Sequence, residues 1–212
     1  MTTALVTGFE PFGGDAVNAS WEAVRSLTAT WDDDAALVPL LLPVTFDGAA
    51  AALTRAVADH RPDVVVAVGL ASGTTAVRLE RVAVNVVDAR IPDNAGAQPV
   101  DVPVVDGGPT AYLSTLPLKG ALAALGAAGV PAVVSNTAGT YVCNAAFYAL
   151  RHATEGTGAR AGFVHVPALG DLAADRSDAA ALADALRVVV RTALAAARGE
   201  AEEPVVAAGA EH

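Results

Sequence analysis

Apolar residues along this chain fall into two alternating patterns. Short β-branched runs are followed by Ala- and Leu-rich stretches with apolar positions every three to four residues, as in an α/β domain on a mostly parallel sheet. Residues 4–7 predict a first strand, halted by Gly8, and Asn18 or Ser20 can cap a helix running through Trp21, Val24 and Leu27. Residues 37–42 predict a second strand ending near Pro43, and residues 48–60 a helix with Ala50, Leu53, Val57 and Ala58 at helical spacing. The run 64–68 is apolar without interruption, as expected of a strand buried on both faces. Further strands are expected at 82–87, 132–135 and 161–166, and further helices at 118–128, 141–152 and 178–198. Pro117 suits a helix start and Gly129 a helix stop. With no internal repeat and no dividing linker, residues 1–198 are expected to form one domain. The acidic segment 199–212 is expected to be a disordered tail.

The stretch from Gly69 to Pro109 departs from this alternation. Residues 88–109 read DARIPDNAGAQPVDVPVVDGGP, rich in Pro, Gly, Asp and Asn, and loops of that length inside a domain are functional or flexible. Composition then narrows the classes. With 53% hydrophobic and 17% charged residues the chain can bury a core, but only 5% is aromatic, so Ala, Val and Leu must fill it. Thirteen Lys and Arg against 23 Asp and Glu leave a net charge of −10, which argues against nucleic acid or an anionic membrane as the main partner. The apolar runs are too short or interrupted to span a bilayer. A single cysteine, Cys143, excludes an internal disulfide framework and any site that needs several thiolates. The opening MTTALVTGFEPFGG has neither a basic segment nor a cleavable apolar stretch, so a reducing cytoplasm is the expected location. Asn18-Ala19-Ser20 matches a glycosylation sequon, which is incidental in a chain that is not secreted.

Cys143 is the first candidate for chemistry. A lone cysteine is commonly a small buried hydrophobe. Here SNTAGTYVC leaves a buried strand, turns on small residues and places Cys143 in the first turn of a helix, where the dipole and free N–H groups favour a thiolate and could hold an oxyanion. The ends of parallel strands are also where α/β sheets bind ligands. A thiol nucleophile needs a base. His212 is terminal, and His60 and His152 sit in the last turns of helices, where an exposed imidazolium complements the dipole. His165, in GFVHVP at the end of a predicted strand, is either a core histidine bonded to backbone or the base for Cys143. Glu80, in RLERVAVN, is either a solvated partner of Arg78 or Arg81 or the carboxylate that orients the imidazole. The turn GFEPFGG follows the first strand, where a dinucleotide fold would carry its phosphate loop. Two phenylalanines and a proline occupy the places where a pyrophosphate needs close backbone approach, so Phe9 and Phe12 are walls for a small apolar group or a satellite core.

Four blocks in order, GFEPFGG, ERVAVNVVDARIPDNAGAQPVD, SNTAGTYVCNAAFY and GFVHVP, resemble the pyroglutamyl peptidase I (pyrrolidone-carboxylate peptidase) family from about Leu5 to Val166. The resemblance implies a cysteine peptidase that removes an N-terminal pyroglutamyl residue from peptides. It also implies a single-domain α/β/α sandwich around a mostly parallel, mixed, twisted sheet, no cofactor or metal, a cytosolic location and a homo-oligomer, dimer or tetramer. By block match the family's triad falls on Glu80, Cys143 and His165, and its ring-binding pair on Phe9 and Phe12. Its arginine near the catalytic centre falls on Arg90, an oxyanion support beside Cys143, and Thr45, Leu70, Ile91 and Val142 match pocket-lining positions. Leu70 stands where a glutamine is usual, and Ala168-Leu169-Gly170 where a bulkier aromatic and a proline are usual.

Two readings of other classes stand beside this one. A nucleotide- or nucleoside-binding module shares the strand–turn–helix opening. A non-catalytic descendant would keep the scaffold as an interaction protein, and the departures at Leu70 and Ala168 motivate it.

Overall fold

The computed structural model describes residues 2–174 and 177–209. Strand β1 (Thr3–Phe9) sends alternate side chains into two apolar layers, Ala4 and Val6 into one, Leu5 and Phe9 into the other. The same division recurs along β3 (Val64–Leu70) and β8 (Arg160–Val166), so these runs are apolar on both faces. With β2 (Ala36–Leu42), β4 (Val77–Glu80) and β7 (Ala132–Ser135) they form a six-stranded sheet in the order β2-β1-β3-β8-β4-β7.

Helices α1 (Ala19–Ala29), α3 (Leu118–Ala127) and α5 (Ala179–Ala197) cover one face, and α2 (Phe46–His60) and α4 (Val142–Ala153) the other. The result is an α/β/α sandwich with one apolar core on each side of the sheet. Gly8 allows the close approach of α1 to β1: a Cβ there would lie 2.8 Å from the Trp21 backbone. Among the described residues no helix is long and apolar enough to cross a membrane.

The sheet is mixed in a way that matters for the site. β1, β2, β3 and β8 pair in parallel, whereas β4 is antiparallel to β8 and parallel to β7. β7 therefore runs opposite to β1, β2, β3 and β8. Its last residue, Ser135, lies opposite Glu80, and Glu80 lies opposite Phe163, short of the edge where β8 ends. Residues 136–141 must carry the chain back before α4 can begin.

Of the strand expected at 82–87 only residues 82–84 form one, and an unpredicted strand precedes it. Residues 77–80, with Arg78 and Glu80 on one face and Val77 and Leu79 on the other, form β4 inside the sheet. Because β7 ends opposite Glu80, the chain beyond Arg81 has no partner in the main sheet. It continues as β5 (Val82–Val84), paired antiparallel with β6 (Ala111–Leu113), an element the pattern did not predict. Val87 pairs only in an isolated bridge with Val102.

Residues 88–109 have no strand or helix, yet their polar groups are engaged: Ala89 N–H donates to Pro99 O at 2.9 Å and Gln98 Nε2 to Ala89 O at 3.1 Å. The segment after α5 is irregular as far as residue 209. It is tied back by Lys119, whose N–H donates to Glu203 Oε1 at 2.5 Å and whose Nζ donates to Val206 O at 2.7 Å, and by Arg81 Nη2, which donates to Ala208 O at 3.1 Å. His212 lies outside the described residues.

Candidate active site

Adjacent strands bring two of the expected residues together. His165 sits in β8 directly opposite Arg78 of β4, and the Glu80 side chain, two residues on, points from the same face. His165 Nδ1 and Glu80 Oε1 are 2.8 Å apart, with the carboxylate fully buried and His165 only 7% exposed. Glu80 is therefore not a solvated ion-pair partner. Arg78 Nε does approach it, at 3.7 Å from the same Oε1, but Arg81 reaches instead toward the segment after α5. Glu80 Oε2 has no partner among the described residues.

Cys143, the second residue of α4, is partly exposed, and its thiol lies near enough to the His165 ring to help raise the ring's pKa. With Nδ1 engaged by Glu80, the ring's other nitrogen is left for the sulfur. A Cβ on Gly69 would lie 2.8 Å from the Phe163 ring and 3.1 Å from Cys143 Sγ, so only glycine leaves room for both. Burial alone would depress the His165 pKa. The hydrogen bond and charge of Cys143, and then those of Glu80, outweigh burial and raise it from 6.5 to about 9.

Beside the sulfur lies a cavity of about 420 Å³. Phe9, Phe12, Leu70, Arg90 and Val142 line it together with Cys143, as do Asn18, Val44, Ser72 and Tyr141. Two expected lining residues are elsewhere. Thr45 is the N-cap of α2 with its hydroxyl against Gly48, and its neighbour Val44 faces the cavity instead. Ile91 is 47% exposed and does not line the cavity, although its neighbour Arg90, itself exposed, does. In the irregular Arg90 segment the strand rule that alternate residues share a face does not apply.

The walls are held by polar residues that the pattern did not single out for this purpose. Asp93, buried in the PDN turn, accepts from Phe46 N at 3.0 Å and from Ala95 N and Ala97 N at 2.9 Å each. It thereby caps α2, whose own N-cap Thr45 makes no side-chain bond. Burial works to raise its pKa, but the backbone N–H groups of Phe46, Ala97, Ala95 and Gly96 outweigh that and hold it below the usual 3.8.

Tyr141 donates to Pro92 O at 2.9 Å and packs edge-on against Phe46 and tilted against Phe12. Burial, followed by the charges of Asp93 and Cys143, pushes its phenol above the usual 10.0. Glu10 Oε1 accepts from Asn94 Nδ2 at 2.8 Å and Val44 N at 3.0 Å, joining the Phe9–Phe12 turn to the PDN turn. Asn144, beside the cysteine, accepts from Val84 N and donates to Val84 O and Val86 O, which fixes the start of α4 against β5. Asx turn chemistry was visible at Asp93 and Asn94, but not the distant backbone each one serves.

Asn18 lines the cavity for a structural reason, and the other candidates lie away from it. Asn18 caps α1 and donates to Glu10 O at 2.9 Å; at 7% exposure it is no glycosylation position. His152 bonds Tyr112 OH at 2.9 Å, and His60 ends α2 exposed to solvent. In the first turn, Phe9 N–H is committed to Ser20 Oγ and Glu10 N–H to Leu42 O, which removes two donors a phosphate would need. Among the described residues no group of three or more His, Cys, Asp or Glu side chains could hold a metal ion.

Comparison with known proteins bears on the whole chain. It is 54% identical over 202 residues to a pyrrolidone-carboxylate peptidase of Clavibacter michiganensis, covering 92% of this chain and 94% of the relative. It is 46% identical to that of Klebsiella pneumoniae over the full length of both. The pyrrolidone carboxyl peptidase from Thermococcus litoralis superposes with a TM-score of 0.90 at 32% identity, covering 98% of this chain and 100% of the other. Pyroglutamyl peptidase I from Bacillus amyloliquefaciens superposes with a TM-score of 0.84 at 39% identity, covering 91% and 94%. A sequence model described as pyroglutamyl peptidase matches residues 2–203, and with these relatives it establishes that the chain belongs to the pyroglutamyl peptidase family.

Proposed function

We propose that this chain is a cysteine peptidase that hydrolyses the amide bond after an N-terminal pyroglutamyl residue, with Cys143 as nucleophile, His165 as proton carrier and Glu80 as the carboxylate that orients the ring. The observation that carries this reading is the line Glu80–His165–Cys143, ending at an apolar cavity whose walls include Phe9 and Phe12. Family membership supports it.

In the first step the Cys143 sulfur bonds to the pyroglutamyl carbonyl carbon while its proton resides on His165. The tetrahedral oxyanion takes N–H groups from the start of α4, where Tyr141 provides no side-chain cap, and the Arg90 guanidinium at the rim. As the C–N bond breaks, imidazolium gives its proton to the leaving amine, and a thioester remains on Cys143. Water then attacks the thioester carbonyl, passing a proton through His165 back to the sulfur. Glu80 holds Nδ1 throughout, which keeps the other nitrogen turned to the sulfur.

A pyroglutamyl end carries no ammonium group. A cavity with aromatic and aliphatic walls accepts it without stranding a charge, whereas an ordinary charged N-terminus would lose its hydration unpaired. The test is hydrolysis of a pyroglutamyl amide beside its prolyl analogue, with and without a thiol-blocking reagent. We expect release from the pyroglutamyl compound alone, abolished by the reagent. Equal release from both compounds, or indifference to the reagent, contradicts the reading.

A further inference from the structure

We propose that Arg78 is a positioning residue of this site, one that holds the Glu80 carboxylate in line with His165 and ties the carboxylate strand to the turn that delivers Cys143; the proposal rests on the reading of the three residues given above. Arg78 Nε lies 3.7 Å from Glu80 Oε1, the same oxygen that meets His165 Nδ1 at 2.8 Å. Its Nη2 donates at 3.0 Å to Ser135 Oγ, which donates in turn to Thr137 O at 3.1 Å. The register makes this bridge short. Arg78 is opposite His165 across β4–β8, and Ser135 is opposite Glu80 across β4–β7. One guanidinium thus meets the carboxylate and the last residue of β7, whose hydroxyl in turn holds the loop leading to the nucleophile.

Glu80 needs such an anchor. Among the described residues its polar partners are His165 and Arg78, both at Oε1, while Oε2 is buried with none. The terminal torsion of a glutamate is broad, so a carboxylate held only by the imidazole could swing or exchange its oxygens. The cation on Oε1 opposes that motion. It also draws on the charge that stabilises imidazolium. The charged and titratable groups facing His165 are Glu80 and Arg78 from β4 and Cys143 from α4, while β3 presents Gly69 and β8 itself Phe163. Removing the guanidinium leaves more of the carboxylate's charge on the ring. His165 then holds its proton more firmly and donates it less readily to the leaving amine.

The test compares Arg78→Gln, which removes the charge but keeps a donor, with Arg78→Lys, which keeps the charge. Two readouts are taken: kcat and KM on a pyroglutamyl amide, and the His165 titration followed through its Cε1–H NMR signal, which needs no turnover. For Arg78→Gln we expect kcat about three- to tenfold lower, KM within about twofold, and the His165 titration about half a pH unit higher, since the side chain is one-third exposed and its charge partly screened. Arg78→Lys should stay within about twofold of the parent in kcat, with the titration unmoved. A His165 titration that is unchanged or lowered in Arg78→Gln, or an unchanged kcat, overturns the proposal. If the parent protein releases nothing from the pyroglutamyl amide, the peptidase reading fails while the titration still decides the role of Arg78.

Discussion

Glu80 and His165 meet across neighbouring strands of the central sheet, whereas Phe12 and Arg90 reach the cavity from segments with no strand or helix, braced by Asp93. Glu80 and His165 are buried and fixed by ladder register, so their separation is set to within a hydrogen bond by the backbone itself. The rim depends on side chains binding backbone far away in sequence: Asp93 on Phe46, Glu10 on Val44, Tyr141 on Pro92. In the proposed reading, the carboxylate and the imidazole sit on the rigid part, and much of the recognition wall on the part assembled from loops. Damage to the floor should therefore appear in kcat and in the pH profile, and damage to the rim in KM and stability.

Glu80→Gln should give the largest effect. It keeps an acceptor for Nδ1 but removes the charge that helps raise His165 to about 9, so kcat should fall about a hundredfold or more. The sign of the pH effect follows. Activity that needs imidazolium is present below the His165 pKa and lost above it, so the alkaline limb should move down from about 9 toward 6.5. A limb that stays in place would deny Glu80 its role.

Gly69→Ala should come next. The new Cβ, 3.1 Å from the sulfur and 2.8 Å from Phe163, displaces the nucleophile, and about ten- to a hundredfold in kcat is expected with a smaller change in KM. Asp93→Ala should act on the rim: KM rises severalfold, kcat changes little, and stability drops by about 1–2 kcal/mol through the lost cap. Because the Asp93 pKa is depressed on folding, that stabilisation is present above 3.8 and lost as pH falls through the lowered value. Urea melts of parent and variant should therefore converge in acid. An Asp93→Ala protein with normal KM and depressed kcat would blur the division between floor and rim.

How much of this was legible in the sequence divides along the same line. Residues 64–68 read as a buried strand because nothing in them could face water, and Cys143 read as a first-turn residue because small residues and a strand precede it. Glu80 stayed open between ion pair and catalysis until the motif resemblance assigned it; the choice depends on burial, which VRLE does not reveal. The direction of β4 and β7 was not legible either, since strand direction is set by which partner a strand finds. That is why Cys143 reaches the site through the turn at 136–141 and not from a parallel strand end. Asp93 capping a helix 47 residues away leaves no local pattern, and neither does the bridge from Arg78 to Ser135, 57 residues on.

The central claim is that the lone thiol carries the acyl group. A pyroglutamyl ester mixed with the protein and quenched in acid within one turnover should leave a single pyroglutamyl mass increment, mapped by peptide digestion to Cys143 and absent from Cys143→Ala, whose turnover should fall by about four orders of magnitude or more. An increment on another residue, or steady release of product by the Cys143→Ala protein, would contradict the account.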